Sequence, residues 1–300
     1  MRRTIRHNEG MLQVSLVVPT FNRASRLVRC LAALDRQDLE PHAFEVLVVN
    51  DGSTDDTSTR LEGLETKLYD LRVLEQGNRG PAAARNLGIQ SARADLVAFL
   101  DDDCEPETGW LRALVGHMLA APPDVAGCGG LTLAAEDGLV PRYIDRIGVL
   151  CPRVDGEVVL YLITCNAIFR RAALVATNGF DESYRAAGGE DPELCARLRD
   201  LGHRFSIEPR ARMRHRHPTT WRGLYRMYTR YARGVVVANR NHHGWREPPA
   251  PYRGYAFLRH FVWPDGKWID VPGYLACEVV KIAAVAKELG MARFRWPAKQ

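Results

Sequence analysis

Three carboxylates in a row, Asp101-Asp102-Asp103, close the apolar run Asp95-Leu96-Val97-Ala98-Phe99-Leu100. Adjacent anions repel, and burial beside a strand makes the repulsion worse. A cation relieves it. Oxygen ligands suit Mg²⁺ or Mn²⁺, which are commonly held by one or two carboxylates together with substrate phosphates. The triplet therefore points to a divalent-metal site at the carboxyl end of a strand, serving a phosphorylated ligand. The competing reading is a solvated acidic loop, since Glu105-Pro106-Glu107 resembles a helix start. Other residues have chemistry of their own. Asp51 ends a second apolar run within Asn-Asp-Gly-Ser, which is strong turn and cap chemistry. Asp191, before Pro192, reads as a helix N-cap. Asn166 interrupts an apolar stretch, and a buried amide there needs a partner.

The elements that position these residues follow from periodicity. Val14 to Pro19, Phe44 to Val49, Leu71 to Leu74 and Asp95 to Leu100 read as buried strands. Helices are expected between them, one capped by Ser25 with Leu27, Leu31 and Leu34 on one face, one from Asp55 or Asp56, and one opened by Gly80-Pro81. Strands alternating with helices imply a parallel sheet covered on both faces. Ligands bind at the carboxyl ends of such strands, so Thr20 to Arg23, Asp51 to Ser53, Gln76 to Arg79 and Asp101 to Asp103 should converge. Further on, the pattern predicts a helix over 107–120, a strand over 125–133, an irregular stretch over 134–157 and one strand over 158–169. A helix over 192–201, a short strand over 205–207 and helices over 219–239 and 272–294 follow, the last two separated by a Pro-, Gly- and Trp-rich loop.

With 300 residues, 46% of them hydrophobic and 26% charged, the chain has ample material for one large α/β domain and an appendage. The net charge of +5 is unevenly spread: ten arginines lie between Arg204 and Arg240, with Glu208 the only acid among them. Such a block suits an anionic partner. Seven cysteines, an odd number with no C-x-x-C pair, read as reduced thiols and not as a disulfide frame. No signal peptide or membrane-spanning run is expected, which suggests a cytoplasmic protein, with a peripheral membrane contact as an option.

Several stretches in order carry a resemblance: Val-Val-Pro-Thr-Phe-Asn-Arg (17–23), Val-Val-Asn-Asp-Gly-Ser-Thr-Asp (48–55), Gly-Pro-Ala-Ala-Ala-Arg-Asn-Leu-Gly-Ile (80–89), Phe-Leu-Asp-Asp-Asp (99–103), Asn-Ala-Ile-Phe-Arg-Arg (166–171), Gly-Phe-Asp-Glu (179–182) and Gly-Glu-Asp (189–191). Together they resemble a family 2 glycosyltransferase of the inverting, non-processive bacterial type. The resemblance implies the GT-A fold: a single Rossmann-like, mainly parallel α/β sheet with helices on both faces, plus a C-terminal helical extension. It implies a disordered lead at 1–12, a catalytic domain at 13–218 and the extension at 219–300. Residues 13–103 form the nucleotide-sugar half of that domain and 104–218 the acceptor half.

The resemblance also implies roles. Asp103 carries a divalent metal, Mn²⁺ or Mg²⁺. Asp101 faces the donor ribose or a metal-bound water, and Asp102 the donor sugar. Asp51 accepts from the donor base, with Pro19, Thr20 and Arg23 lining base and ribose. Arg85 points to diphosphate or sugar. Asp191 is the general base and Glu190 holds the acceptor. Asn166 contacts a sugar or satisfies backbone. His215 or His217 supplies a further metal ligand, His215 fitting the spacing better. A UDP-sugar is the first choice of donor. The acceptor is a small molecule, glycan or lipid-linked molecule, and nucleic acid is not expected as a partner. The membrane-spanning processive enzymes are disfavoured, because no Gln-x-x-Arg-Trp occurs. Two rivals remain: a sugar-1-phosphate nucleotidyltransferase, which would want a Gly-rich loop where Pro19 to Arg23 stands, and a binder of nucleic acid or membrane through the basic block.

Overall fold

The structure is a computed structural model that describes residues 12–40, 42–62, 64, 69–241 and 271–294. The expected lead up to Met11, and the loop carrying Trp245, Trp263 and Trp268, lie outside the described residues. The elements in order are β1 (Val14–Thr20), α1 (Ala24–Leu34), β2 (Phe44–Asn50), α2 (Thr57–Leu61), β3 (Asp70–Glu75), α3 (Pro81–Ser91), β4 (Leu96–Leu100), β5 (Cys104–Pro106) and α4 (Trp110–Ala120). Then come β6 (Val125–Ala134), α5 (Leu139–Arg146), β7 (Arg153–Asp155), β8 (Val158–Tyr161), β9 (Asn166–Arg170), α6 (Arg171–Ala176), α7 (Glu190–Asp200), β10 (Arg204–His215), α8 (Trp221–Asn241) and α9 (Val271–Phe294).

Among the described residues, eight strands form one sheet in the order β3-β2-β1-β4-β9-β6-β10-β5. The first four are parallel, as the alternating pattern predicts. Beyond β4 the sheet is mixed. Strand β9 runs antiparallel to both β4 and β6, pairing Leu100 with Asn166 and Cys128 with Ile168. Strand β10 is parallel to β6 and antiparallel to β5, with His215 opposite Cys104. Strand β9 thus carries the chain back between strands of two different halves.

Both faces of the sheet centre are buried because β1, β2 and β4 are mostly apolar on both sides, and the buried Ser15 hydroxyl donates to the buried Glu45 carboxylate at 2.6 Å. Leu16 and Val18 meet Leu27, Leu31 and Leu34 of α1 and Trp110 and Leu114 of α4. Val17, Leu47 and Val49 point the other way, toward Ala82, Ala84 and Ile89 of α3 and Leu194 and Leu198 of α7. Each of the valines, leucines and isoleucine among them contributes about 1.5–3 kcal/mol when fully buried. Helix α3 lies close to the sheet, and a Cβ on Gly88 would overlap the Val17 side chain. A third cluster joins α5, α8 and α9 through Val140, Tyr143, Ile144, Leu224, Met227 and Tyr228.

Four expectations shift. Ser25 lies inside α1, and the Ala24 N–H is met by the Asp55 carboxylate from the neighbouring loop. The stretch read as irregular contains α5, whose buried face rests on α8 and α9. The single strand expected over 158–169 is two, because the chain turns out after Tyr161. The short strand at 205–207 continues through a register shift to His215. All seven cysteines are free. No helix among the described residues is long and apolar enough to cross a membrane.

Candidate active site

The loops after β1, β2 and β4 meet at one edge of the sheet. Asn22, at a positive φ of 54°, accepts from the Thr54 N–H at 2.7 Å and donates its own N–H to Ser53 Oγ at 2.9 Å. That lock sets the start of α1, and so the direction of Arg23 and Arg26. The buried Asp51 carboxylate accepts from Gln76 Nε2 and from the N–H groups of Arg79 and Gly80, at 2.7, 2.8 and 2.8 Å. It fastens the 76–80 loop, the turn-type role that Asp-Gly-Ser chemistry allows.

The three carboxylates after β4 have different surroundings. Asp102 is buried, accepting from Thr20 Oγ1 at 2.8 Å and Arg23 at 3.0 Å. Burial pushes its pKa up to about 6, with Arg23 opposing. Asp103 takes Arg23 at 3.1 Å, Arg26 at 2.9 Å and His215 Nε2 at 3.2 Å. Burial alone would raise its pKa, but His215 and the two arginines hold it well below the usual carboxylate range. Asp101 is half-buried and meets Arg85 at 2.9 Å.

Arg85, on α3, is 2% exposed, and its other nitrogen reaches Glu190 at 3.0 Å. The guanidinium therefore ties the Asp101 end of the site to the start of α7. Glu190 also accepts from the Gly188 N–H. Asp191 is not the N-cap of α7. Gly189 holds that position, and Asp191 lies within the first turn, accepting from Thr164 Oγ1 at 2.6 Å. Burial first and Glu190 second raise the Asp191 pKa well above the ordinary carboxylate value, with Arg85 and Thr164 opposing. A carboxylate so placed is a better proton acceptor than an ordinary one.

Of the two histidines, His215 ends β10 against Asp103, while His217 Nε2 sits 3.0 Å from Asp145. Their rings lie 4.9 Å apart between centroids, tilted at 37°. Burial lowers the His217 pKa, with Asp145 opposing. The buried His215 Nδ1 has no hydrogen-bond partner among the described residues. Asp103, Cys104 and His215 offer ligand atoms all within 4.8 Å of one another. Burial drives the Cys104 pKa far up, and the oxygen and nitrogen donors of the set are the Asp103 carboxylate and the His215 imidazole. The carboxylate suits Mn²⁺ or Mg²⁺, and the imidazole beside it favours a transition metal such as Mn²⁺.

A cleft of about 490 Å³ opens over these groups. Arg23, Arg85, Asp101, Asp103, Glu190, Asp191, His215 and His217 all line it. Pro19, Thr20, Asp51, Asp102 and Asn166 do not. Asn166 is buried at the start of β9, accepting from Trp110 Nε1 at 2.7 Å and donating to Thr132 Oγ1 at 3.3 Å. Replacing Asn166 with Ala leaves the indole N–H unpaired and is expected to cost about 1–3 kcal/mol. A lower melting temperature with unchanged ligand affinity is the expected outcome, whereas an affinity loss at constant stability would mark a sugar contact. Two participants escaped the sequence reading. Arg26 is three residues beyond Arg23 on α1, so i,i+3 spacing was an available signal. Thr164 lies in the break between β8 and β9, which an unbroken apolar run conceals. The α8 wall, with Arg226, Arg230 and Tyr231, also lines the cleft.

Comparison with known proteins agrees with this architecture. The family model "Glycosyl transferase family 2" matches residues 15–176, and "Glycosyl transferase family group 2" matches 96–286. The pre-mycofactocin glycosyltransferase of Mycobacterium tuberculosis is 33% identical over 216 residues, covering 70% of this chain and 44% of the relative. Validoxylamine A glucosyltransferase of Streptomyces hygroscopicus is 32% identical over 219 residues, 63% of this chain and 48% of the relative. The chain thus spans about half the length of these curated relatives. Among solved structures, the mannosyltransferase PcManGT from Pyrobaculum calidifontis, in complex with GDP-Man and Mn²⁺, superposes with a TM-score of 0.59 at 20% identity, covering 96% of this chain and 77% of that one. TarS 1–349 of S. aureus gives 0.57 at 20% identity, covering 93% and 83%. The structural likeness carries the fold and the family models carry the membership: the chain belongs to glycosyl transferase family 2 and has the GT-A fold.

Proposed function

We propose that the chain transfers a single sugar, with inversion, from a nucleoside-diphosphate sugar to an acceptor hydroxyl, with Asp191 as general base. One observation carries this reading. The Asp101–Asp103 end of β4 and the Asp191 carboxylate line the same cleft, and Arg85 ties their supports together. The acceptor oxygen attacks the anomeric carbon as the bond to the diphosphate breaks, through an oxocarbenium-like state. The hydroxyl proton passes to the Asp191 carboxylate. The bonding electrons leave with the diphosphate, whose growing charge lies at the Arg23 and Arg26 end. Asp103 and His215 would hold a divalent metal, which when bound adds positive charge where that leaving group develops.

Two neighbours support the donor class by their own contents, one in complex with GDP-Man and Mn²⁺ and TarS with UDP. A UDP-sugar remains the preferred donor. The acceptor belongs to the side of the cleft lined by Val149, Leu150 and α8, and a location in the cytoplasm or at a membrane surface is compatible with either a glycan or a lipid-linked acceptor. A thermal-shift panel of UDP, GDP and dTDP, with and without Mn²⁺, tests the reading. A bound ligand raises the melting temperature by mass action. A Mn²⁺-dependent shift for one diphosphate is the expected result, and no shift across the panel overturns it.

A further inference from the structure

We propose that Arg226 and Arg230 of α8 form a subsite for a phosphate ester carried by the acceptor. The inference rests on the transfer reaction above and names its acceptor class. Five arginines besides these two invite comparison, and each has an acid. Arg23 and Arg26 meet Asp103, Arg85 meets Asp101 and Glu190, Arg216 meets Glu105 and Glu136, and Arg233 meets Glu288. Arg226 and Arg230 line the cleft, yet neither has an acidic partner among the described residues. The Arg230 Nε is buried without a hydrogen-bond partner among the described residues, and its guanidinium sits 5.4 Å from the Tyr231 ring centroid. One helical turn apart, the two side chains share a face. Paired guanidiniums suit a phosphoryl group, because their forks match its oxygens.

Placement assigns this charge to the acceptor and not to the leaving diphosphate. Helix α8 packs directly on the Gly188-Gly189 loop that leads into Glu190-Asp191. Both glycines have positive φ, 131° and 99°. A Cβ on Gly188 would lie 3.1 Å from Tyr231 Cα and 3.5 Å from the Arg230 carbonyl oxygen, and one on Gly234 would overlap the Gly188 carbonyl. The Arg230 turn is therefore seated beside the base. The diphosphate end has its own cations, Arg23 and Arg26. An acceptor whose phosphate rests on Arg226 and Arg230 keeps its charge away from the departing diphosphate while presenting a hydroxyl to Asp191.

The test is calorimetric titration of methyl phosphate into the full chain, saturated with whichever diphosphate and Mn²⁺ bind in the panel, and again into nucleotide-free protein. Wild type should bind methyl phosphate in both states. The double variant R226Q/R230Q should bind it roughly tenfold more weakly or worse, and keep its nucleotide affinity within about twofold. R226K/R230K, which retains charge without the fork, should fall between. Equal methyl phosphate affinity in wild type and R226Q/R230Q overturns the proposal, and so does no binding by wild type. A loss of nucleotide affinity in R226Q/R230Q also overturns it, because the arginines would then serve the donor. The nucleotide-free arm keeps the anion result legible should the donor reading fail.

Discussion

Asp191→Asn is expected to lower sugar transfer by roughly 10²–10⁴-fold, the usual contribution of a general base, while nucleotide affinity stays within about twofold. The amide oxygen can still accept from Thr164, so the geometry survives and the proton acceptor is lost. Stability separates this role from a structural one. Burial and Glu190 raise the Asp191 pKa above its unfolded value. The folded state therefore holds the proton more tightly, and ionisation of Asp191 destabilises the fold as pH rises from about 3.9 through the raised value. Removing that charge should leave the melting temperature at pH 8 equal to or above wild type, whereas a helix cap would lose stability. The wild-type rate should rise with pH along a limb above the ordinary aspartate range, and Asp191→Asn should lack that limb. Full turnover in Asp191→Asn removes the residue from the mechanism.

Asp103→Asn should have the next largest effect. The variant keeps the side-chain shape but removes the charge that faces Arg23, Arg26 and His215. Loss of a metal's charge stabilisation is worth several kcal/mol, so transfer should fall by about 10²-fold or more. The readout that isolates the metal is Mn²⁺ itself, followed by the loss of its free-ion paramagnetic resonance signal on binding. Wild type plus nucleotide should take up Mn²⁺, and Asp103→Asn should not. Unchanged Mn²⁺ uptake would move the metal to other ligands.

Much of this was legible in the sequence, for identifiable reasons. Strand β4 is apolar at every position, and β1 and β2 nearly so apart from the paired Ser15 and Glu45, because both faces are covered, and their ends are marked by polar residues. Helix α5 was not legible. Its turn is short, carries Pro141, and owes its form to Tyr143 and Ile144 packing on α8 and α9, a tertiary contact without a local signal. Only the start of β10, residues 205–207, was legible as a strand. Arg210, Arg212 and Arg214 face outward while Ala211 and Met213 are buried, with a register shift between Ile207 and Arg212 obscuring the alternation. In the site, residue types marked the carboxylates but not their division of labour. That Asp102 is buried on Thr20 while Asp103 meets His215 follows from the loop's path, which no spacing rule contains.

The place of β9 in the sheet has a consequence for synthesis. When the ribosome has released Asp101–Asp103, β4 has only β1 beside it, and its other edge carries unpaired backbone groups. Its partner is β9, and His215 emerges later still. An open apolar edge is a template for wrong pairing. The nascent first half therefore passes through an aggregation-exposed interval that closes only when Asn166–Arg170 docks, and the acidic triplet stays without its imidazole until β10 arrives.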